Sequence, residues 1–167
     1  MKSVSFIAIV SLIFFGCSSK YTDKGEQKGE PTIYSLNNND NEMNVAIKTA
    51  NQTLDKFNEA LKRRNPSFKS FALKTRFKTE NGGEHIWVKN ITLIDNKYFG
   101  IIDNLPKSTS EVKLGDTIQI ETNNISDWMY VNNKELEGGF TIKLLRKRMT
   151  ENERNQFDLE TGLTFAE

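Results

Sequence analysis

The sequence predicts an α+β fold with one small domain, and three observations carry that expectation. Apolar residues recur at helical spacing between Met43 and Leu61, the period falls to two beyond Pro66, and a second helix-start signal appears at Thr150. The expected arrangement is an N-terminal helix packed on a curved antiparallel sheet or small open barrel, closed by a short C-terminal helix.

The elements follow in order. Met43, Ile47, Ala50, Leu54, Phe57 and Leu61 line one helical face, Asn39 with Glu42 forms a candidate capping box, and Asn65-Pro66 ends the helix. Phe71, Leu73, Thr75 and Phe77 then alternate with Ala72, Lys74, Arg76 and Lys78, as a half-buried strand requires. Asn81-Gly82-Gly83 supplies a hairpin turn into a return strand from His85 to Leu93. Asp95-Asn96-Lys97 turns the chain into Tyr98 to Ile102, and Leu114-Gly115-Asp116 leads into Thr117 to Glu121. Ile125 to Val131 is a further strand, followed by an Asn132-Asn133-Lys134 turn. Gly138-Gly139 breaks the chain before Phe140 to Leu145, which is β-like through Thr141 and Ile142. Thr150 and Glu153 form the second capping box, ahead of a helix to about Leu159.

The N-terminal segment sets an address. Lys2 is followed by an apolar stretch from Val4 to Phe15, shorter than the roughly 18 to 20 residues of a membrane-spanning helix and therefore of signal-peptide length. Gly16-Cys17-Ser18-Ser19 resembles the lipobox of bacterial lipoproteins, although Phe14 and Phe15 replace the leucine and small residue usual there. The expected division is a signal peptide over 1–16, a lipidated Cys17 with a flexible polar tether over 17–41, and the folded domain over 42–167. The membrane is then a partner through lipid on Cys17. Ser18 after the cysteine favours an outer membrane facing the periplasm in a Gram-negative cell.

Composition removes several classes of function. Lys and Arg total 23 against 22 Asp and Glu, so no global charge marks a nucleic-acid binder. One cysteine excludes an internal disulfide, and one histidine excludes multi-histidine metal or relay sites. No cofactor, metal or catalytic residue is assigned.

Three constellations remain. If Ile86 and Val88 face the core, His85, Trp87 and Lys89 share the opposite face with Lys74, Arg76 and Lys78, a basic and aromatic surface suited to an anionic group. The plainer reading makes Trp87 a core residue and the lysines a solvated face. Asp127 and Trp128 point to opposite faces of a regular strand, so Asp127 either faces solvent or satisfies a turn when Trp128 fills the core. Should Asp127 meet His85, the pair would be a general base with its orienting carboxylate, with Ser126 or Thr141 as a nucleophile. The basic run Arg146-Lys147-Arg148, together with Lys62-Arg63-Arg64, is a candidate for anionic headgroups.

Glu84-His85-Ile86-Trp87-Val88, Leu114-Gly115-Asp116 and Ile125-Ser126-Asp127-Trp128-Met129-Tyr130, followed by Gly138-Gly139 and Thr141, together resemble the YegJ-like family, a bacterial domain of unknown function. The resemblance spans about Met43 to Phe165. It implies a compact domain that occurs alone, behind export signals or fused to other modules, and it brings no catalytic residues. The leading expectation is thus a non-enzymatic envelope lipoprotein that binds a protein or an anionic envelope component. A hydrolase-like enzyme using His85 and Asp127, and an immunity-type protein neutralising an envelope toxin, are the alternatives.

Overall fold

The structure, a computed structural model, describes residues 40–166 together with the pairs Lys24–Gly25 and Ile33–Tyr34. Those pairs form a two-residue antiparallel ladder, β1 (Lys24–Gly25) with β2 (Ile33–Tyr34), within a unit separate from the domain. Cys17 and Asn39 lie outside the described residues.

The domain is the α+β arrangement that the sequence predicts. Two helices, α1 (Asn41–Gln52) and α2 (Leu54–Arg63), precede strands β3 (Phe68–Thr79), β4 (Gly82–Ile94), β5 (Lys97–Ile102), β6 (Thr117–Ile120), β7 (Ile125–Asn132) and β8 (Glu135–Gly138). Helices α3 (Phe140–Arg148) and α4 (Glu151–Thr161) follow. The sheet order is β6-β5-β4-β3-β7-β8, antiparallel throughout, with β6 and β8 at its two edges, so it does not close into a barrel.

Alternation along the long β3–β4 hairpin places Leu73, Ile86 and Val88 on one face, joined by Trp128 and Tyr130 from β7, and α1 and α2 close this core with Ala50, Leu54 and Phe57. The Phe57 ring sits 5.9 Å from Trp128 and 5.6 Å from Phe71, in the edge and tilted geometries that aromatic quadrupoles favour. Register shifts fall between Lys69 and Ala72 on β3 and between Lys89 and Thr92 on β4. Ala72 pairs with Lys89, so these irregularities are neighbours, and Ser70 and Asn90 take positive φ of 54° and 55° there. Adjacent bulges bend both strands at one level.

Several expectations are corrected. The single helix from Met43 to Leu61 is broken at Thr53, where the Trp128 indole nitrogen donates to the Ala50 carbonyl at 3.0 Å and to Thr53 Oγ1 at 3.2 Å. A side chain entering the hydrogen-bond ladder ends one helix and starts another. The cap of α1 is Asp40, which accepts from the Met43 amide at 3.1 Å, in place of an Asn39–Glu42 box. The first hairpin turns on Glu80-Asn81, with Gly82 and Gly83 already paired in β4. Strand β8 has only Leu136 to mark it and gave no periodic signal. The segment from Phe140 is helical instead of β.

The basic run at the end of α3 is occupied inside the domain. Arg146 holds Asp158 of α4 through two bonds of 2.7 and 2.5 Å. Arg148 makes bonds of 2.5 and 2.8 Å to Asp40 and of 2.6 and 3.2 Å to Glu42, tying the end of α3 to the start of α1. The Arg148 guanidinium holds the Asp40 carboxyl down at about 2. Both arginines are thus engaged within the domain, while Lys147 between them is exposed. The Thr150–Glu153 capping box is present as expected, with Oγ1 accepting from the Glu153 amide and the Glu153 carboxylate accepting from the Thr150 amide at 2.9 Å.

Candidate functional site

On the sheet face opposite the α1–α2 core, alternation places Lys74, Arg76, His85, Trp87 and Lys89, as the sequence predicts. Arg76 lies directly opposite His85, and Lys74 opposite Trp87. The Trp87 orientation is thus settled in favour of the surface reading, although its ring is half-buried. Lys74 departs from the expected solvated face. It too is half-buried, with Nζ 3.3 Å from Thr141 Oγ1 and 5.5 Å from the centre of the Trp87 ring. Burial pushes the Lys74 ammonium down, and the Asp127 carboxylate works against that shift. Lys89 pairs with Asp103, while the exposed Arg76 lies against Gly83 and donates to the Gly82 carbonyl at 2.8 Å.

Trp128 is 3% exposed in the core and Asp127 is wholly buried. Asp127 accepts from the amides of Trp128 at 2.8 Å, Phe140 at 3.1 Å and Thr141 at 2.8 Å, and from the Thr141 hydroxyl at 2.6 Å. These last three donors form the first turn of α3. Gly139, the residue before α3, has no side chain with which to cap it, so Asp127 caps the helix from a neighbouring strand. This resolves the Phe140 expectation: β-branched and aromatic propensity favours a strand, and a buried carboxylate aligned with the helix amides overrides it. Burial pushes the Asp127 carboxyl up, while the Thr141 bonds, Lys74 and the Trp128 amide pull it down.

His85 and Asp127 do not meet. The His85 partner is Ser126, whose Oγ lies 2.8 Å from Nδ1 and 3.2 Å from the Lys74 carbonyl oxygen. Lys74 pairs with Asp127 and Thr75 with Ile125, leaving Ser126 as the extra residue of a bulge. That insertion breaks strict alternation and lets consecutive Ser126 and Asp127 both engage groups around Lys74. Ser126 has one hydroxyl hydrogen. With it donated to the Lys74 carbonyl, the contact with His85 is closed by a hydrogen on Nδ1, and Nε2 carries the lone pair.

His85 is held neutral well below its usual range. Burial, then Lys74 and Arg76, lower its pKa from 6.5 to about 4. An unfolded chain would protonate first on acidification, so this contribution is complete above pH 6.5 and is lost as pH falls through about 4. Unfolding free energy should decline by on the order of 3 kcal/mol across that window. Denaturant titrations at several pH values test this, and His85→Gln should remove most of the slope.

Among the described residues, no group of three or more His, Cys, Asp or Glu could hold a metal ion, and no helix is long and apolar enough to cross a membrane. An open groove of about 410 Å³ between α1 and α3 is lined mainly by Val45, Ala46, Phe140 and Leu144, and none of the Lys74, His85 or Trp87 side chains borders it.

Comparison with known proteins agrees with the resemblance noted in the sequence. The chain is 30% identical over 142 residues to the uncharacterized protein YegJ of Escherichia coli strain K12, covering 85% of this chain and 86% of that protein. It is 33% identical over 147 residues to a putative ankyrin repeat protein of Neisseria meningitidis serogroup B, covering 83% of this chain but 58% of that longer relative. No solved structure matches. Residues 40–165 match the family described as uncharacterized protein conserved in bacteria (DUF2314), which takes in α1 to α4 and the whole six-stranded sheet. The chain belongs to this YegJ-like DUF2314 family.

Proposed function

We propose that the protein is a lipid-anchored binding module of the bacterial envelope and that it recognises its partner with the Lys74–Arg76–His85–Trp87 face. One observation carries the non-catalytic part of this reading: Asp127, the carboxylate needed to orient His85, spends its hydrogen bonds on three amides and one hydroxyl. A histidine with a depressed pKa and only a serine partner lacks the orienting acid of a general base. An aromatic ring flanked by cations on a rigid hairpin has instead the composition of a recognition surface. The anchor rests on Gly16-Cys17 behind the apolar Val4–Phe15 stretch, and the partner is accordingly a protein or anionic component of the envelope.

In-cell cross-linking of tagged full-length protein, with capture from the membrane fraction and quantitative mass spectrometry, tests both parts. Wild type should fractionate with membranes and enrich a partner that is lost from a folded His85→Ala, Trp87→Ala variant. A wild-type protein found only in the soluble fraction would refute the anchor. Equal enrichment from both proteins would refute the face.

A further inference from the structure

Two cations on this face, Lys74 and Arg76, have no direct ion-pair partner among the described residues, unlike Lys89, and the Arg76 guanidinium bonds only to a carbonyl oxygen. The carboxylates of neighbouring elements are each engaged elsewhere. Asp103 pairs with Lys89, and Asp127 caps α3. Glu84 accepts from the amides of Lys107, Ser108 and Thr109, and Glu111 accepts from the Lys78 amide. From β3, His85 therefore meets Arg76, which has no carboxylate partner, and Lys74, whose charge is offset in part by the buried Asp127; from β7 it meets the Ser126 hydroxyl, and along its own strand a lysine already paired with Asp103. Directly opposed residues of an antiparallel pair carry Cβ atoms about 5 Å apart, so the Arg76 and His85 side chains can reach one ligand between them.

The ring geometry adds a second element. Nδ1 is committed to Ser126, and its hydrogen stays in place whether the ring is neutral or protonated. Only Nε2 changes, from a lone pair to a donor. An oxyanion placed between Arg76 and Lys74 would neutralise the charges that now oppose protonation and would give the new Nε2 hydrogen an acceptor.

We propose that this face binds an oxyanion, a sulfate, phosphate or carboxylate group, and that His85 takes up one solvent proton at Nε2 as the anion binds. The inference rests on the binding-module reading above and names the chemistry of its ligand. Occupancy would then rise on acidification, because the proton and the anion enter together.

His85 is the only histidine in the chain, so its imidazole signals are unambiguous in NMR of histidine-labelled protein. The full chain in maltoside micelles would be titrated with pH in sodium sulfate, which keeps its charge over this range, and in sodium chloride at equal ionic strength. We expect sulfate to raise the His85 pKa saturably by one unit or more, chloride to leave it near its unliganded value, and Arg76→Gln to abolish the sulfate effect. A bound-state value near 6 corresponds to sulfate binding about tenfold tighter at pH 5 than at pH 7. Vesicles of phosphatidylcholine with and without phosphatidylglycerol locate the source of the oxyanion: the same shift with phosphatidylglycerol assigns a lipid headgroup, and sulfate alone assigns a soluble or polymer-borne anion. No sulfate shift, a shift equal to that in chloride, or one retained in a folded Arg76→Gln protein overturns the proposal. A cross-linked partner lost in the His85→Ala, Trp87→Ala variant would survive that result, so the two failures are separable.

Discussion

Replacing Asp127 with alanine should destabilise the domain by about 3 to 5 kcal/mol, a large part of the 5 to 15 kcal/mol typical of domains this size. The substitution removes an acceptor from four donors at once and leaves the Phe140 and Thr141 amides at the start of α3 without it. It also leaves the Lys74 ammonium, 3.3 Å from Thr141 Oγ1, without the carboxylate that favours its charge. Asp127→Asn should lose about 2 kcal/mol, because one of its two terminal groups is a donor facing donors. Thr141→Val should lose about 1 kcal/mol, with the helix amides still capped. Urea denaturation measures the order of the three, and amide exchange locates it, with protection lost first at the start of α3. A fully stable Asp127→Ala protein would contradict the capping role and reopen the question of what that buried acid does.

The same residue shows what sequence could and could not reveal. The β3–β4 hairpin was legible because its alternation is local, as were the turns at Asp95-Asn96 and Asn133-Lys134, where Asp95, Asn96 and Asn133 are residue types that tolerate the positive φ they adopt. The Thr150 box was legible because both partners lie within four residues. Helix α3 was not, because its first residues, Phe140, Thr141 and Ile142, favour a strand and its cap stands 13 and 14 positions upstream on β7. Nor was the break at Thr53, set by an indole 75 residues later in the chain. For the site, alternation correctly put Lys74, Arg76, His85, Trp87 and Lys89 on one face. It could not show that Lys74 sinks toward Thr141, or that the bulge at Ser126 gives His85 a serine partner in place of Asp127.

These distant contacts also give a physical account of the segments that carry the family resemblance. Ser126-Asp127-Trp128 and Gly138-Gly139 with Thr141 look like separate motifs in the sequence, and in the fold they are one joint. Asp127 caps the helix that starts after Gly139, the Trp128 carbonyl accepts from the Gly139 amide at 2.8 Å, and Ser126 orients His85 on the open face. Packing behind the sheet and recognition in front of it thus share one stretch of β7. A change in the α3 cap can therefore reach His85 through Lys74 and Ser126, which makes the stability of this joint a control in any binding experiment.

The glycine side of the joint carries the second large prediction. Gly138 pairs with Met129 at φ 70°, a left-handed conformation costing a residue with a side chain about 1 to 2 kcal/mol. A Cβ there would run into the Trp128 carbonyl oxygen and ring, with Cζ3 at 2.6 Å. Neither can yield easily, because the indole is wedged among Phe57, Tyr130 and Phe140 and its nitrogen is tied to the Ala50 carbonyl. Gly138→Ala should accordingly cost about 3 kcal/mol or more. Gly139→Ala carries a similar backbone penalty at φ 59°, but the atoms nearest its Cβ belong to the buried Leu136 side chain, whose terminal methyl gives way more readily than a backbone carbonyl or a fixed ring, so about 2 kcal/mol is expected. Denaturant midpoints compare the two, and near-UV circular dichroism of the aromatic cluster reports Trp128. Equal losses would show that backbone strain alone matters at this corner. A larger loss at Gly138 with a changed aromatic signal would show that the paired glycines are needed because Trp128 fills the space a side chain would take.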